Sequence, residues 1–184
     1  HEEEVLHLRL LQTVWRRLAG TDAPLRLGSH WQSVGFQGDD PATDLRGVGL
    51  LGLLHLLAFA ERFPEALAAG LVASQHASRH FPFAVSSFNF SKLAVDLLLE
   101  GGLNTACNRA LGSEGPVVAL YVGVFRSFLA RWEHERLAIE DFGRVFKEIS
   151  KAAARSPQTL IADGAKSAAG RAGSAPGACA VDCG

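Results

Sequence analysis

One arginine, Arg46, stands among acidic and turn residues where it could bind an anion or simply form an ion pair. Asp39, Asp40 and Asp44 precede it closely, and the apolar run after Asp44 predicts a helix that begins there. Arg46 would then lie in the first turn, where the positive end of the helix dipole makes a cation cost roughly 0.3–1 kcal/mol. Either the carboxylates hold the arginine and offset that cost, or its guanidinium faces outward, toward an anion that a partner brings.

The polar neighbours of Arg46 are expected to support the segment. A side-chain oxygen of Thr43 or Asp44 can accept from the orphan amides of the first turn and cap the helix. Asp40 is expected to cap and brace in the same way. Gln37 could contact a partner protein or position a water molecule in that partner's site. We favour the alternative that it is a loop side chain that hydrogen-bonds to backbone. None of these residues is predicted to be a catalytic base.

Aromatic residues and glycines frame the same stretch. Trp31 and Phe36 are predicted to be core anchors that set the angle at which the loop leaves the core. Gly47, Gly49 and Gly52 follow at once, although a glycine inside a helix costs about 1 kcal/mol relative to alanine. Glycines at this density predict the close approach of another backbone or of a partner.

Two other pairs of residues have spacings that are relevant to metal or lipid chemistry. His76 and His80 are four apart, a metal-like spacing, but no third ligand lies near, and histidine is also favourable at a helix end. Cys179 and Cys183 do not form a prenylation box, so a bland tail is the expected interpretation. The sequence has neither a Walker-type phosphate loop nor a G-x-S-x-G elbow, so we expect neither nucleotide binding by the chain itself nor hydrolase chemistry.

The elements that position these residues are predicted to be helices. Apolar residues at three- and four-residue steps predict a helix over 2–19, and prolines that suit a first helical position predict helices starting near Glu65 and Phe83. The run from Asp44 to about Phe63 predicts a helix with almost no polar face, interrupted by His55. Further helices are expected over 103–111, over 117–137 and after Ile139. Without strand or hairpin signals, the fold class is all-α, a compact array of about seven helices.

Composition is typical of a folded chain, with 48% apolar and 20% charged residues. The net charge of −1 gives no nucleic-acid signature, and three cysteines imply no disulfide framework and favour a reducing compartment. The chain starts at His1 and contains no methionine, which predicts a fragment or processed product; we find no signal-peptide pattern. The most apolar run, 48–60, is shorter than the about 20 residues that a bilayer needs.

The composition changes near Ser156, where glycine, alanine, serine and proline begin to dominate and aromatic residues vanish. Such a segment buries too little surface to offset its ordering entropy. We therefore predict one folded domain over residues 1–155 and a disordered tail over 156–184.

The central stretch resembles a known family signature. Its pattern, W-x3-G-F-Q-G-x-D-P-x-T-D-L-R-G-x-G-L-L-G-L from Trp31 onward, is similar to that of the ELMO domain (engulfment and cell motility). Later stretches agree, namely F-P-F-A-V-S-S-F-N-F-S at Phe81–Ser91 and L-Y-V-G-V-F-R-S-F at Leu120–Phe128. The resemblance covers roughly residues 1–155 and implies the helical ELMO fold. Leu45 stands where the family usually has phenylalanine.

The resemblance implies an activity on a partner protein. Single-domain members, the ELMOD proteins, are GTPase-activating proteins for small GTPases of the Arf and Arl group, and the family's proposed arginine finger maps onto Arg46. Such a chain has no cofactor of its own, because the partner GTPase supplies GTP and Mg²⁺. A cytoplasmic protein, drawn to endomembranes through its partner, is expected. The partner-binding or supporting residues would be Gln37, Asp39, Asp40, Asp44 and Gly47.

Two alternatives stay open at this point. In larger relatives, the ELMO scaffolds, the arginine is generally lost and the diverged domain works in nucleotide-exchange complexes for Rac. The present chain could accordingly be a non-catalytic module that binds a small GTPase or an exchange-factor partner. A third interpretation is a helical adaptor for membrane surfaces. The intact D-L-R-G setting of Arg46 favours the activating branch.

Overall fold

The computed structural model of the protein describes residues 2–22, 25–110 and 115–169. Every regular element in these ranges is helical, with eight α-helices and three short 3₁₀ helices at Ser29–Val34, Pro41–Gly47 and Ile139–Asp141. The predicted all-α class is confirmed, with one α-helix more than expected. The α-helices are α1 (Glu2–Ala19), α2 (Leu50–Arg62), α3 (Pro64–Ser74), α4 (Phe83–Leu99), α5 (Asn104–Arg109), α6 (Pro116–His134), α7 (Phe142–Arg155) and α8 (Pro157–Ala169).

Helix α6 lies at the centre of the core. It is buried over most of its girth, and α2, α4, α7 and α8 all pack against it. Phe125 of α6 stacks on Phe59 of α2 with ring centroids 4.7 Å apart, and it meets Phe90 of α4 at 5.2 Å. Because buried aromatic rings carry most of the apolar area in such a core, these contacts fix the positions of the helices that present the site.

Helix α8 corrects the expectation that the chain is disordered from Ser156 onward. The segment from Pro157 to Ala169 is helical and packs along α6, with Leu160 and Ile161 against the core. Its glycine and alanine content is typical of disordered segments, but here the small residues let two helix backbones approach closely. Residues 170–184, which include Cys179 and Cys183, lie outside the described residues.

The ends of the other helices follow local turns. Helix α1 has its predicted span, whereas α3 ends at Ser74 rather than near Ser78. The chain turns there because the imidazole Nδ1 of His76 accepts a hydrogen bond from the Ser78 amide at 3.2 Å. A side chain that bonds to nearby backbone competes with helix continuation in this way.

The predicted helix from Asp44 to Phe63 is broken into two pieces. The 3₁₀ helix Pro41–Gly47 comes first, and α2 begins only at Leu50, with the two axes bent by 100°. No single helix in the described part of the chain is long and apolar enough to cross a membrane. The bent pair reaches that length and apolar composition only when its two pieces are counted together. Arg46 lies next to this bend.

Candidate functional site

Arg46 belongs to the 3₁₀ helix Pro41–Gly47, and Asp40 caps that helix. The Asp40 carboxylate accepts from the Ala42 amide at 3.0 Å, and its carbonyl accepts from the amide and hydroxyl of Thr43 at 3.1 and 2.8 Å. Pro41 suits the first position because its missing N–H is one that a helix start leaves unpaired. The expectation that Thr43 or Asp44 caps this helix is therefore wrong, whereas the expected cap by Asp40 is present.

Arg46 stands at the end of this short helix, not at the start of α2. The side chain of Leu45 is buried. Its carbonyl accepts hydrogen bonds from the amides of Val48 and Gly49 at 3.3 and 2.6 Å. Gly49 has φ of 56°, which a side chain rarely tolerates, and the chain turns into α2 there. A cation in the last turn of a helix is at the favourable end of the dipole, so the cost expected from a first-turn position does not apply.

The guanidinium of Arg46 is exposed and makes no hydrogen bond or ion pair with any residue in the described ranges. The carboxylates that were candidate holders accept hydrogen bonds from groups other than Arg46. Asp39 accepts from the Gln32 side chain at 3.2 Å, and Asp44 accepts from the Gln37 amide at 2.8 Å. The structure thus contains none of the ion pairs that the pinned-arginine alternative requires of the described carboxylates.

Asp44 is the acidic group most strongly affected by this arrangement. It is half-buried, and burial raises the pKa of its carboxyl above the ordinary value. The hydrogen bond from the Gln37 amide and the positive charge of Arg46 oppose that rise. The charges of Arg46 and Asp44 therefore attract each other, although the two side chains form no ion pair.

The loop before the 3₁₀ helix is anchored by buried aromatic rings, as predicted for Trp31 and Phe36. These two rings meet edge to face at 5.3 Å, and Phe36 contacts Phe88 of α4 at 5.6 Å. Gly35 has φ of 88° and lies against the backbone of Phe83, where a Cβ would collide. Gln37 follows directly with an exposed side chain. The loop that carries Gln37 is consequently fixed to the start of α4.

Gly47, Gly49 and Gly52 have three different physical causes. A Cβ on Gly52 would lie 2.7 Å from Cγ2 of Val48 and 2.9 Å from the Phe88 ring, so this glycine makes room for side chains and not for the backbone or partner that was expected. Gly49 has open space around it and is explained by its positive φ. A Cβ on Gly47 would make only ordinary contact, at 3.7 Å from Cδ of Lys92, so exposed Gly47 leaves the surface beside Arg46 open.

Sequence reasoning missed a buried polar group behind this surface. His55 of α2 is 2% exposed, stacks on Tyr121 at 4.8 Å and shares a hydrogen bond of 3.1 Å between Nδ1 and the Ser91 hydroxyl. The Tyr121 hydroxyl in turn pairs with Ser87 at 2.7 Å. Burial lowers the pKa of His55 to about 4. The one signal in the sequence was a histidine that interrupts an apolar helix, and its role here is to join α2, α4 and α6.

The described residues outside the Arg46 segment include no metal site. Among residues 2–22, 25–110 and 115–169, no three His, Cys, Asp or Glu side chains are grouped as a metal would require. Cys107 is a half-buried free thiol. A groove of about 760 Å³ runs between α3 and α6, with an apolar floor that includes Gly70 and Leu129 and the ion pair of Arg79 with Glu133 at its rim. It includes His76, one of the two histidines at metal-like spacing, but none of the residues predicted around Arg46.

Fold and site together define the class of this protein: an all-helical domain that presents one exposed arginine at a braced corner. A family model described as "ELMO/CED-12 family" matches residues 1–146, and the chain belongs to this family. The family predicted from the central motif is confirmed. The aligned range contains the 3₁₀ helix and its arginine but ends before α8.

The relatives that the chain resembles carry the same domain name. It is 36% identical over 162 residues to "ELMO domain-containing protein 3" of Bos taurus, which covers 86% of this chain and 42% of that protein. It is 32% identical over 168 residues to "ELMO domain-containing protein 1" of Bos taurus, covering 79% and 51%. It is 29% identical over 148 residues to "Ankyrin repeat and ELMO domain-containing protein D" of Dictyostelium discoideum, covering 80% and 11%.

The chain spans less than half the length of the first of these relatives and about half of the second. No solved structure matches it. What the whole relatives do is therefore carried to this chain only as a proposal.

Proposed function

We propose that this chain is a GTPase-activating protein for a small GTPase of the Arf or Arl group, with Arg46 as an arginine finger that acts in trans. The observation that carries the proposal is the state of Arg46. Its guanidinium is exposed and unpaired among the described residues, while the backbone on either side of it is held by Asp40 and by the Leu45 carbonyl. Membership of the ELMO/CED-12 family and the intact D-L-R-G setting support it further.

The chemistry asked of Arg46 is electrostatic. Small GTPases hydrolyse GTP slowly because negative charge builds on the transferring phosphoryl group without a sufficient counter-charge. An arginine supplied in trans provides one and raises the rate by about 10³–10⁵. The guanidinium suits this role because it is planar, stays charged and presents a fork of donors that matches phosphate oxygens.

The local structure lowers the cost of inserting such a side chain. A segment whose backbone is already fixed loses less conformational entropy when a partner binds than a free loop would. Gly47, which has no side chain beside Arg46, leaves room for the partner surface to approach. A guanidinium without an intramolecular ion pair also has no bond to break before it reaches a phosphate.

The proposal requires no cofactor bound by this chain. The partner GTPase supplies GTP and Mg²⁺, and this chain supplies a cation and a contact surface. In the cytoplasm, association with endomembranes would come through the partner. The supporting residues we propose around Arg46 are those that shape its segment, namely Gln37, Asp39, Asp40, Asp44 and Gly47.

Single-turnover GTP hydrolysis by a panel of Arf and Arl GTPases tests this function. The wild-type chain is compared with Arg46→Ala, with Arg46→Lys and with Arg109→Ala, an exposed arginine in the last turn of α5. We expect one GTPase to be accelerated, both Arg46 variants to lose most of the about 10³–10⁵ effect, and Arg109→Ala to retain it. Circular dichroism confirms that each variant is folded. A wild-type chain that binds a GTPase without accelerating any of them supports the non-catalytic module instead.

A further inference from the structure

We infer that Asp44 is a positioning residue for Arg46, and that it acts through the backbone of Gln37 and not by an ion pair with the arginine. The inference rests on the proposed function, because it assigns Asp44 a part in presenting the finger. It starts from one bond: the Asp44 carboxylate oxygen Oδ2 accepts from the Gln37 amide at 2.8 Å, across seven positions of the chain.

This bond joins two segments that have separate anchors. Gln37 follows Phe36, whose buried ring ties the loop to α4. Asp44 precedes Leu45, whose side chain is buried and whose carbonyl holds the corner into α2. The Asp44–Gln37 hydrogen bond therefore links the loop to the 3₁₀ helix two residues before Arg46.

The same bond is compatible with an available Arg46. Asp44 lies two residues before Arg46 in the same 3₁₀ helix, and side chains at that spacing point in different directions. The Asp44 Oδ2 is committed to a backbone N–H, and no ion pair between the two side chains is present in the described structure. Asp44 holds the backbone of the segment in place. Its negative charge attracts the Arg46 guanidinium, but no ion pair restrains that side chain.

A comparison of Asp44→Asn with Asp44→Ala separates the hydrogen bond from the charge. Asparagine keeps an acceptor oxygen for the Gln37 amide and removes the charge, whereas alanine removes both. Thr43→Ala is the matched control, because it deletes another side-chain hydrogen bond in the same 3₁₀ helix, the one from the Thr43 hydroxyl to the Asp40 carbonyl. If Asp44→Ala does not fold, Asp44→Leu keeps the shape of the side chain without an acceptor and replaces it.

Two readouts are needed. The first is amide hydrogen exchange of Gln37 in the chain alone, which we expect Asp44→Ala to speed by at least about tenfold while Asp44→Asn leaves it near wild type. The second is the hydrolysis rate of the partner GTPase at saturating chain, measured apart from the concentration that gives half the effect. We expect Asp44→Ala to lower the saturated rate by about 10- to 100-fold, and Asp44→Asn and Thr43→Ala to stay within about twofold.

The outcomes separate this inference from the function on which it rests. Equal rates with wild type and Arg46→Ala reject the proposed function and the positioning role together. Acceleration that depends on Arg46 but is unchanged in Asp44→Ala rejects the positioning role alone. A loss in Asp44→Asn as large as in Asp44→Ala also overturns the inference, because the charge and not the hydrogen bond would then be responsible. If Asp44→Ala raises only the concentration that gives half the effect and leaves the saturated rate unchanged, the inference is also overturned, because Asp44 would then contribute to binding and not to positioning.

Discussion

Gly164 of α8 lies so close to Gly123 of α6 that a Cβ on Gly164 would sit 3.0 Å from the Gly123 nitrogen. A Cβ on either glycine would also collide with a carbonyl of the opposite helix, that of Ala119 for Gly164 and that of Leu160 for Gly123. Backbone atoms cannot move aside as a flexible side chain can. The two glycines therefore set the spacing at which α8 packs against α6.

This relationship predicts that Gly164→Ala lowers the free energy of unfolding by at least about 2 kcal/mol, because the added methyl group forces the helices apart. Urea unfolding followed by circular dichroism measures the change. Gly143→Ala is the control, since Gly143 of α7 has open space where its Cβ would be, and it should gain about 0.5–1 kcal/mol from helix propensity. Equal stability of wild type and Gly164→Ala would show that α8 does not pack on α6 as described.

The buried His55 predicts that stability falls in mild acid. Its pKa is lowered to about 4 by burial, whereas in the unfolded chain it is about 6.5. Between these values the unfolded state binds a proton that the folded state does not, so the His55 contribution is complete above pH 6.5 and is lost as the pH falls toward 4. The loss reaches up to about 3 kcal/mol at the acid end of that window.

Urea titrations at pH 7.5, 6.0, 5.0 and 4.5 test this pH dependence. The variant His55→Gln should show a smaller decrease in the free energy of unfolding over that range, and His7→Gln, at an exposed position of α1, should behave like wild type. If wild type and His55→Gln lose stability in parallel, other groups are responsible and His55 is not kept neutral by the core.

Gly35 predicts a link between the loop and the stability of the core. Its φ of 88° and its contact with the backbone of Phe83 mean that Gly35→Ala is strained in both conformation and space. We expect a loss of at least about 2 kcal/mol in the free energy of unfolding. Gly38→Ala, in the same loop but with open space around it, should change stability by less than about 0.5 kcal/mol. A neutral Gly35→Ala would mean that the loop is not fastened to α4.

The sequence predicted much of this fold because helical periodicity and helix-start prolines are local signals. The span of α1 and the starts of α3 and α4 follow from them. The bend before α2 could not be predicted in the same way, because an apolar run without a breaker other than glycine is equally typical of one continuous helix. The positive φ of Gly49 and the hydrogen bonds to the Leu45 carbonyl are properties of the folded chain.

Helix α8 was missed for a related reason. A segment rich in glycine and alanine has little apolar area of its own, so composition predicts disorder. Its helical state depends on a partner surface, the small residues Ala119 and Gly123 of α6, which the segment's own composition does not reveal. The motif identified Arg46 and its neighbours as candidates, but which carboxylate bonds to which amide depends on the three-dimensional path of the loop.

The most direct test of the proposed arginine finger is the affinity of this chain for the proposed partner GTPase in the complex with GDP and aluminium fluoride, which mimics the transferring phosphoryl group. A residue that contacts the reacting atoms contributes chiefly to this state and little to the ground state. We predict that Arg46→Ala weakens binding to the aluminium fluoride complex by at least about 100-fold, while binding to the GTPase loaded with a non-hydrolysable GTP analogue changes by only a few-fold. Equal losses in both states, or no loss in either, would contradict the assignment of Arg46 as an arginine finger.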